Sequence, residues 1–333
     1  MAKTAVMGAG SWGTAFALVL SDAGNEVSIW GRRAAVCDSI NNDRENTEYL
    51  PGIPMPETIS ATIDAAEALA DREIVVLAVS SQQLRVNLES WAHLIPQDAV
   101  IVSLMKGVEL GTHKRMSEVI AEITGAGPER IAVVSGPNLA REIANREPAA
   151  SVVACVDRDV AVRLQKLMHS PAFRPYTNTD VIGCELGGTT KNIIGLAVGV
   201  CVGLGFGDNT KASVITRGLA ETARLGLAIG ADPQTFSGLA GMGDLVATCS
   251  SPLSRNRSFG EKLGQGLSVD EVASQTSQIA EGVKSCTSVS ELAKAYGVEM
   301  PIVEHVAALI AGKMTPIELV SALISREAKS ESV

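Results

Sequence analysis

Three observations predict an α/β fold: a mostly parallel sheet domain followed by an all-helical domain. Strand and helix patterns alternate up to residue 178, the β signal then stops, and a Gly-x-Gly-x-x-Gly turn directly follows the first strand. At 333 residues the chain exceeds one ordinary core, so two domains are expected, residues 1–178 and 179–333. The net charge of −9 argues against nucleic acid or an anionic membrane surface as partner. A local basic pocket can still hold a small anion. The cysteines show no Cys-x-x-Cys spacing and the histidines no zinc set, so no metal is expected. The thiols read as reduced core residues of a cytoplasmic protein. The chain opens straight on a strand, with no export-like segment, which points the same way.

Lys3–Met7 is that short buried strand, and Gly8-Ala9-Gly10-Ser11-Trp12-Gly13 leads into a helix through Ala23. Gly8 permits the tight turn, Gly10 lets backbone approach a pyrophosphate, and Gly13 lets the helix pack on the strand. The helix N-terminus adds N–H groups and a positive dipole end. This is a Rossmann-like domain for a dinucleotide. The second strand, Glu26–Trp30, ends where a ribose-binding acid usually stands, about twenty residues beyond the first glycine. Arg32 and Arg33 stand there instead. Two guanidiniums suit the 2′-phosphate of NADP, so NADP(H) is preferred and NAD(H) also allowed. The alternative is a solvated basic corner.

The alternation continues through a helix at Ile63–Ala70, a buried strand at Glu73–Val79 and a helix at Ser81–Leu94. Ala99–Met105 is a strand ending in Lys106 and Gly107. A lysine at a strand's carboxyl end faces the ligand crevice of an open sheet, unless it is a surface lysine on a loop. After the strand Arg130–Ser135, Gly136-Pro137-Asn138-Leu139-Ala140 opens a helix with Asn138 near its cap. Ala149–Val156, a helix at Val160–His169 and Phe173–Asn178 complete the sheet.

The stretch Thr179–Lys211 reads as one long core helix. Gly195, Gly199, Gly203 and Gly207 recur every four residues and so form one smooth stripe. Each interior glycine costs about 1 kcal/mol against alanine, so close approach of a neighbouring helix or ligand must offset it. The apolar run is short of the roughly 20 residues a membrane helix needs, and no stable membrane insertion is expected. Lys191 is the anomaly, because lysine is seldom buried without a task or a partner. Gly238–Leu245 is a loop whose one charge is Asp244, which could also cap a helix. Ser254, Arg255 and Asn256 make an anion cradle, since arginine grips phosphate bidentately, or else a solvated loop. Glu281, in the turn Ile279–Gly282, could meet a ribose or water. Helices at Thr287–Tyr296, Ile302–Gly312 and Pro316–Ser325 close the chain, and Arg326–Val333 reads as a frayed tail.

A dinucleotide domain joined to helices invites hydride transfer at the seam. Oxidising an alcohol requires a base for its proton. Lys191 could serve if burial, and the like charge of Lys106, bring its amine towards neutrality. In reduction the same ammonium would protonate a carbonyl, with Asp244 orienting it. A purely structural buried ion pair is the alternative.

These residues fall in recognisable motifs. Gly188–Ala197, Gly207–Ser213 and Thr216–Gly218 resemble the signature of NAD(P)-dependent glycerol-3-phosphate dehydrogenases of the bacterial biosynthetic type. Ser103–Glu109, Gly136–Glu142, Gly241–Leu245, Ser254–Arg257 and Ile279–Gly282 also look like that family, in its order and over nearly the whole chain. The resemblance implies interconversion of sn-glycerol 3-phosphate and dihydroxyacetone phosphate, a phosphorylated small-molecule substrate, supply of phospholipid synthesis, and a homodimer. It implies Lys191 as proton acceptor for the C2 hydroxyl and Lys106 between nicotinamide and substrate. Gly136, Asn138, Asp244, Ser254, Arg255 and Asn256 would surround the substrate, with Arg255 also reaching the cofactor. Ser11, Trp12, Arg32, Arg33, Ala140, Ile279 and Glu281 would line NADP(H). Two positions depart from the pattern: Gly195 stands where alanine is usual, and Asn138 where serine or threonine is common. Two other readings keep the architecture: a dehydrogenase of another phosphorylated hydroxy substrate, and a non-catalytic NADP(H)-binding sensor.

Overall fold

The computed structural model describes residues 2–275 and 280–324. Ile279 and the tail read as frayed lie outside the described residues. The first half contains strands β1 (Lys3–Met7), β2 (Glu26–Trp30), β3 (Glu45–Asn46), β4 (Leu50–Pro54), β5 (Ile59–Thr62), β6 (Ile74–Leu77), β7 (Val100–Ser103), β8 (Ile131–Ser135), β9 (Ala149–Ala154) and β10 (Phe173–Asn178). Eight of them form one sheet in the order β10-β9-β8-β7-β6-β1-β2-β5, and β3 pairs with β4 separately. Adjacent strands of the large sheet run parallel, except β8 against β9. Runs such as Ile74–Leu77 are wholly buried because helices cover both faces. These are α1 (Ser11–Asp22), α2 (Ala34–Asp38), α3 (Ala65–Leu69), α4 (Leu84–Trp91), α5 (Met116–Thr124), α6 (Ala140–Ala144) and α7 (Arg158–Met168). Phe16 meets Phe173 edge-on in one core layer, and Trp30 meets Trp91 in the other.

The winding reverses at β1, which sits between β2 and β6. At such a switch point the connections diverge to opposite faces, leaving a crevice beyond the carboxyl ends of the strands. The Gly8–Gly13 turn and Lys106 both lie at those ends.

Some elements differ from the sequence reading. The edge strand β5, the β3–β4 hairpin and α5 were not anticipated. β5 is only four residues long with two of them fully buried, too little pattern to separate it from a loop. The helix expected from Ile63 begins after Asp64, whose Oδ1 accepts the Ala66 N–H at 2.8 Å. α6 starts at Ala140 with Leu139 at its cap, so Asn138 is not the capping residue. The Asn138 amide instead donates to Ser151 Oγ at 3.1 Å.

The second half folds into α8 (Val181–Gly203), α9 (Asp208–Ile229), α10 (Asp244–Ser250), α11 (Arg255–Gly264), α12 (Val269–Ser274), α13 (Glu281–Ala295), α14 (Pro301–Ile310) and α15 (Pro316–Ile324). The single helix expected over residues 179–211 is therefore two. Gly205, at φ +83°, turns the chain after α8, and Gly207 caps α9 rather than continuing the stripe. The rest of the stripe meets a neighbouring helix. A Cβ at Gly199 would lie 2.1 Å from the Arg257 carbonyl oxygen, and one at Gly203 would lie 2.1 Å from that of Glu261. α11 answers with Gly260 and Gly264, whose added Cβ atoms would lie 2.1 and 2.5 Å from the carbonyl oxygens of Leu196 and Val200. The two backbones touch along about two turns. α8 is long and apolar enough to cross a membrane, yet 83% of its apolar window is buried inside this fold.

Gly199→Ala is expected to destabilise the protein by about 1–3 kcal/mol, because overpacking a backbone contact outweighs the propensity gained. Gly207→Ala, which meets open space, is expected to stay within about 0.5 kcal/mol of the parent. Denaturant unfolding of the two variants checks the contrast, and equal midpoints would remove the close-packing account of the stripe.

Candidate active site

A cleft of about 760 Å³ runs between the sheet and the helical half. Its sheet-side wall begins with the glycine turn. Gly8 has φ +137°, and a Cβ there would strike the Ala78 carbonyl oxygen at 2.5 Å. A Cβ at Gly13 would lie 2.1 Å from the Gly8 oxygen, whereas Gly10 faces open space. Gly10 also caps α1, so the first N–H groups of that helix point the same way and form an anion groove. Ser11, Trp12, Arg32, Arg33, Asn138 and Ala140 line the same wall. Trp12 Nε1, Ser80 Oγ and Asn138 Oδ1 are buried there with no protein partner. Buried polar atoms call for partners, so this wall fits a polar dinucleotide.

Where the two halves meet stand two amines. Lys191 projects from α8, and Lys106 follows β7. Both converge on Asp244, the first residue of α10, which is 1% exposed. Lys106 Nζ lies 2.5 Å from Asp244 Oδ2, and Lys191 Nζ lies 2.9 Å from Oδ1. Lys106 also donates to the Gly136 carbonyl at 3.1 Å, and Lys191 to Thr248 Oγ1 at 2.6 Å. The Asp244 carboxylate is thus spent on lysines, not on capping a helix. Gly136 and Asp244 do not line the cleft; they hold the amines that do. Gly188 makes room for this convergence, since a Cβ there would crowd Ser135 Oγ at 2.8 Å and Lys106 Cγ at 3.3 Å.

Burial lowers the Lys106 amine from the ordinary lysine range to about 8; Asp244 opposes that fall and the charge of Lys191 adds to it. α8 itself is bolted in place by the buried carboxylate of Glu185. It accepts from Arg115 Nη1 at 2.6 Å, from the Ser117 N–H at 2.8 Å and from Ser117 Oγ at 2.6 Å.

The third part of the wall is the start of α11. Ser254 is its cap, accepting the Arg257 N–H at 3.3 Å while keeping its own hydroxyl proton to donate. Arg255 reaches the cleft, where enclosure by protein lowers its guanidinium pKa and Glu281 opposes the shift. Asn256 is buried, with Nδ2 donating to Asn192 Oδ1 at 2.9 Å and Oδ1 accepting the Gly282 N–H at 2.9 Å. Its amide therefore clamps α8, α11 and α13 together. Glu281, expected at a ribose or at water, accepts from Ser81 Oγ at 2.7 Å and so bridges the two halves.

Among the lining residues that escaped the sequence reading are Asn192, Thr248, Glu48 and Tyr49. Thr248 lies four residues after Asp244, one turn along a helix, and that spacing was a usable signal. Glu48 and Tyr49 lie in a short turn without periodicity, which offers none.

An anion groove on one side of a seam, an arginine on the other and paired amines where the two sides meet make the arrangement of a nicotinamide-dependent oxidoreductase acting on a small anion. Sequence comparison narrows the class. The NAD-dependent glycerol-3-phosphate dehydrogenase N-terminus family matches residues 3–161, and the corresponding C-terminus family matches residues 180–321. The chain is 62% identical to the glycerol-3-phosphate dehydrogenase [NAD(P)+] of Streptomyces coelicolor over 329 residues, covering 99% of this chain and 98% of that one. It is 61% identical to the enzyme of the same name from Thermobifida fusca over 332 residues, covering 99% of each. The crystal structure of glycerol-3-phosphate dehydrogenase from Coxiella burnetii aligns with a TM-score of 0.93 at 37% identity, covering 98% of this chain and 99% of that one. The chain belongs to the NAD-dependent glycerol-3-phosphate dehydrogenase family.

The Lys106 amine is expected to lose its proton with a midpoint near pH 8. Asp244→Asn removes the carboxylate that holds that proton on, so the midpoint should move lower. Side-chain lysine NMR across a pH series reads it directly, and a midpoint that stays put or rises in the variant contradicts the arrangement.

Proposed function

We propose that this enzyme reduces dihydroxyacetone phosphate to sn-glycerol 3-phosphate with NADPH in preference to NADH, as a cytoplasmic homodimer supplying phospholipid synthesis. The coarser activity is that of its family, interconversion of the two phosphates with NAD(P). Residues 1–178 form the cofactor-binding domain in this reading, and residues 179–333 the substrate-binding and catalytic one. The observation that carries it is the shared carboxylate: Asp244 gathers Lys106 and Lys191 at one point of a cleft that Arg255 also enters.

The dinucleotide would be held by the Gly8, Gly10 and Gly13 turn, by Ser11, Trp12 and Ala140, and at its ends by Arg32, Arg33, Lys106, Arg255 and Glu281. Bound NAD(P)(H) supplies the hydride chemistry at C2 of the substrate. Lys191 gives its ammonium proton to the ketone oxygen in reduction and takes the hydroxyl proton in oxidation. Asp244 and Thr248 fix that ammonium by accepting from it, so the proton is aimed before the substrate arrives. Lys106 keeps a second positive charge beside the reacting oxygen and favours charge developing there. Ser254, Arg255 and the first N–H groups of α11 take the substrate phosphate, since a helix N-terminus and a guanidinium both favour an anion. Asn138 and Asn256 complete the substrate wall, with Gly136 acting through its carbonyl on Lys106.

NADPH oxidation followed by absorbance with dihydroxyacetone phosphate tests the reading, with 6-phosphogluconate and NADP as the contrast. Binding without turnover of any phosphorylated ketone would leave a sensor instead of an enzyme. Lys191→Ala is expected to lower kcat by at least about 10²–10⁴, the usual worth of a positioned proton donor, while NADPH affinity stays near that of the parent. A kcat within a few fold of the parent would assign the proton to another group. Arg255→Ala is expected to raise KM for dihydroxyacetone phosphate by on the order of tenfold to a hundredfold, the loss of a charge-assisted hydrogen bond. An unchanged KM would move the phosphate site elsewhere.

A further inference from the structure

The end of β2 lacks the acid that commonly receives a ribose 2′-hydroxyl in a sheet of this kind, and Arg32 and Arg33 take its place. A carboxylate nevertheless reaches this corner by another route. The turn between β3 and β4 carries Glu48 onto the cleft wall that Arg32 and Arg33 also line, and there it meets Arg33. Its position is fixed from behind. Asn46 is fully buried, donating to the Ala9 carbonyl at 2.9 Å and to Thr14 Oγ1 at 2.8 Å, and its Oδ1 accepts the Tyr49 N–H at 3.1 Å. Ser11 Oγ donates to the Tyr49 carbonyl at 2.8 Å. The turn bearing Glu48 is thereby pinned to the glycine turn itself.

Glu48 is paired with Arg33 Nη2, and the same nitrogen donates to the Tyr49 hydroxyl at 2.8 Å. The Arg33 guanidinium also lies 5.4 Å from the Tyr49 ring centre. Arg33 is thus held by its neighbours, with 52% of its side chain exposed against 42% for Glu48. A half-exposed pair of this kind is weak, so Arg33 can leave it for a phosphate at little cost. The turn that carries Glu48 is pinned, so the residue stays at this corner and its charge would stand near the incoming 2′-phosphate. A 2′-hydroxyl carries no charge to repel and finds an acceptor there instead.

We propose that Glu48 is a cofactor-selectivity residue. Its charge cancels part of the basic corner that favours NADP(H), and its oxygens receive a ribose 2′-hydroxyl, so the pocket accepts NAD(H) beside NADP(H). The proposal rests on the cleft being the dinucleotide site and goes beyond that reading by naming the group that sets its selectivity.

The test is the dissociation constant of NADPH and of NADH, by calorimetry and tryptophan quenching, in the parent and in the isosteric Glu48→Gln variant. The variant should bind NADPH tighter by on the order of tenfold at low ionic strength, from removal of a nearby like charge, and less so at high salt. NADH affinity should fall or stay level, so the ratio of the two constants moves towards NADPH. A ratio unchanged by the substitution, or a shift of both cofactors together that salt does not alter, overturns the assignment of Glu48 while leaving the cleft as the cofactor site. Absence of binding of either dinucleotide to the parent protein overturns the cleft reading, and the proposal with it. Arg33→Ser supplies the opposite arm: it should weaken NADPH several-fold more than NADH, and equal weakening counts against the corner as the 2′ site.

Discussion

One buried carboxylate holds the working part of this molecule together. Asp244 accepts from a lysine of the sheet half and a lysine of the long helix, and it has almost no contact with water. None of the three charges could be enclosed alone, because the desolvation cost of an unpaired ion is several kcal/mol even after relaxation. Together they are satisfied, with the Gly136 carbonyl and Thr248 taking further donor hydrogens. Two ammonium groups on one carboxylate leave one positive charge over. That surplus faces the cleft, and burial of Lys106 is the price of placing it there. The same contact that fastens the two halves therefore prepares the site for an anion.

The convergence is possible only because backbones come unusually close behind it. α8 and α11 cross with glycine against carbonyl on both sides, Gly199 and Gly203 on one helix and Gly260 and Gly264 on the other. Larger side chains would push α11 outward and carry Ser254 and Arg255 away from Lys191. Four glycines each forfeit helix propensity, a loss that only tertiary contact can offset. Asn256 adds the directional element, since its amide joins α8 to α13 through Asn192 and Gly282. Glu185 does the same at the other end of α8 through Arg115 and Ser117. Lys191 is thus delivered by a helix clamped above and below it.

Much of this arrangement was legible in the chain because it follows from local rules. The glycine turn after a buried strand specifies its own geometry, and Gly8, Gly10 and Gly13 differ in the space around them as their separate roles require. The glycine stripe announced a close neighbour, and the anomaly of one lysine in an apolar helix announced a partner. Sequence offered Asp244 as the group that orients Lys191, and the two do meet; it could not supply α11 as the neighbour, because that helix comes many residues later and is brought in by tertiary packing. Where local signals were weak the reading failed. β5 is too short to declare itself, and Gly207 keeps the spacing of the stripe although Gly205 has already turned the chain. Glu48 left no trace at all, because it acts through a turn whose register is set by Asn46 and Ser11.

The two charged clusters of the cleft differ in solvent exposure, and that difference divides their labour. Opposite charges about 4 Å apart interact by about 1 kcal/mol in water and by about 4 kcal/mol at the effective dielectric near a protein surface. The Lys106–Asp244–Lys191 cluster sits at the strong end of that scale, so it does not rearrange to suit a ligand. Arg33 and Glu48 sit at the weak end, where water and salt compete and partners exchange cheaply. A fixed centre is what proton transfer needs, because misplacement by an ångström is costly in rate. In the proposed reading, a loose corner elsewhere in the same cleft would let the choice of cofactor change by single surface residues without disturbing that centre. The polarity of the fold makes this separation natural: the lysine–carboxylate cluster lies at the seam between halves, where burial is deep, while the Arg33–Glu48 pair lies beyond the end of β2, where it is shallow.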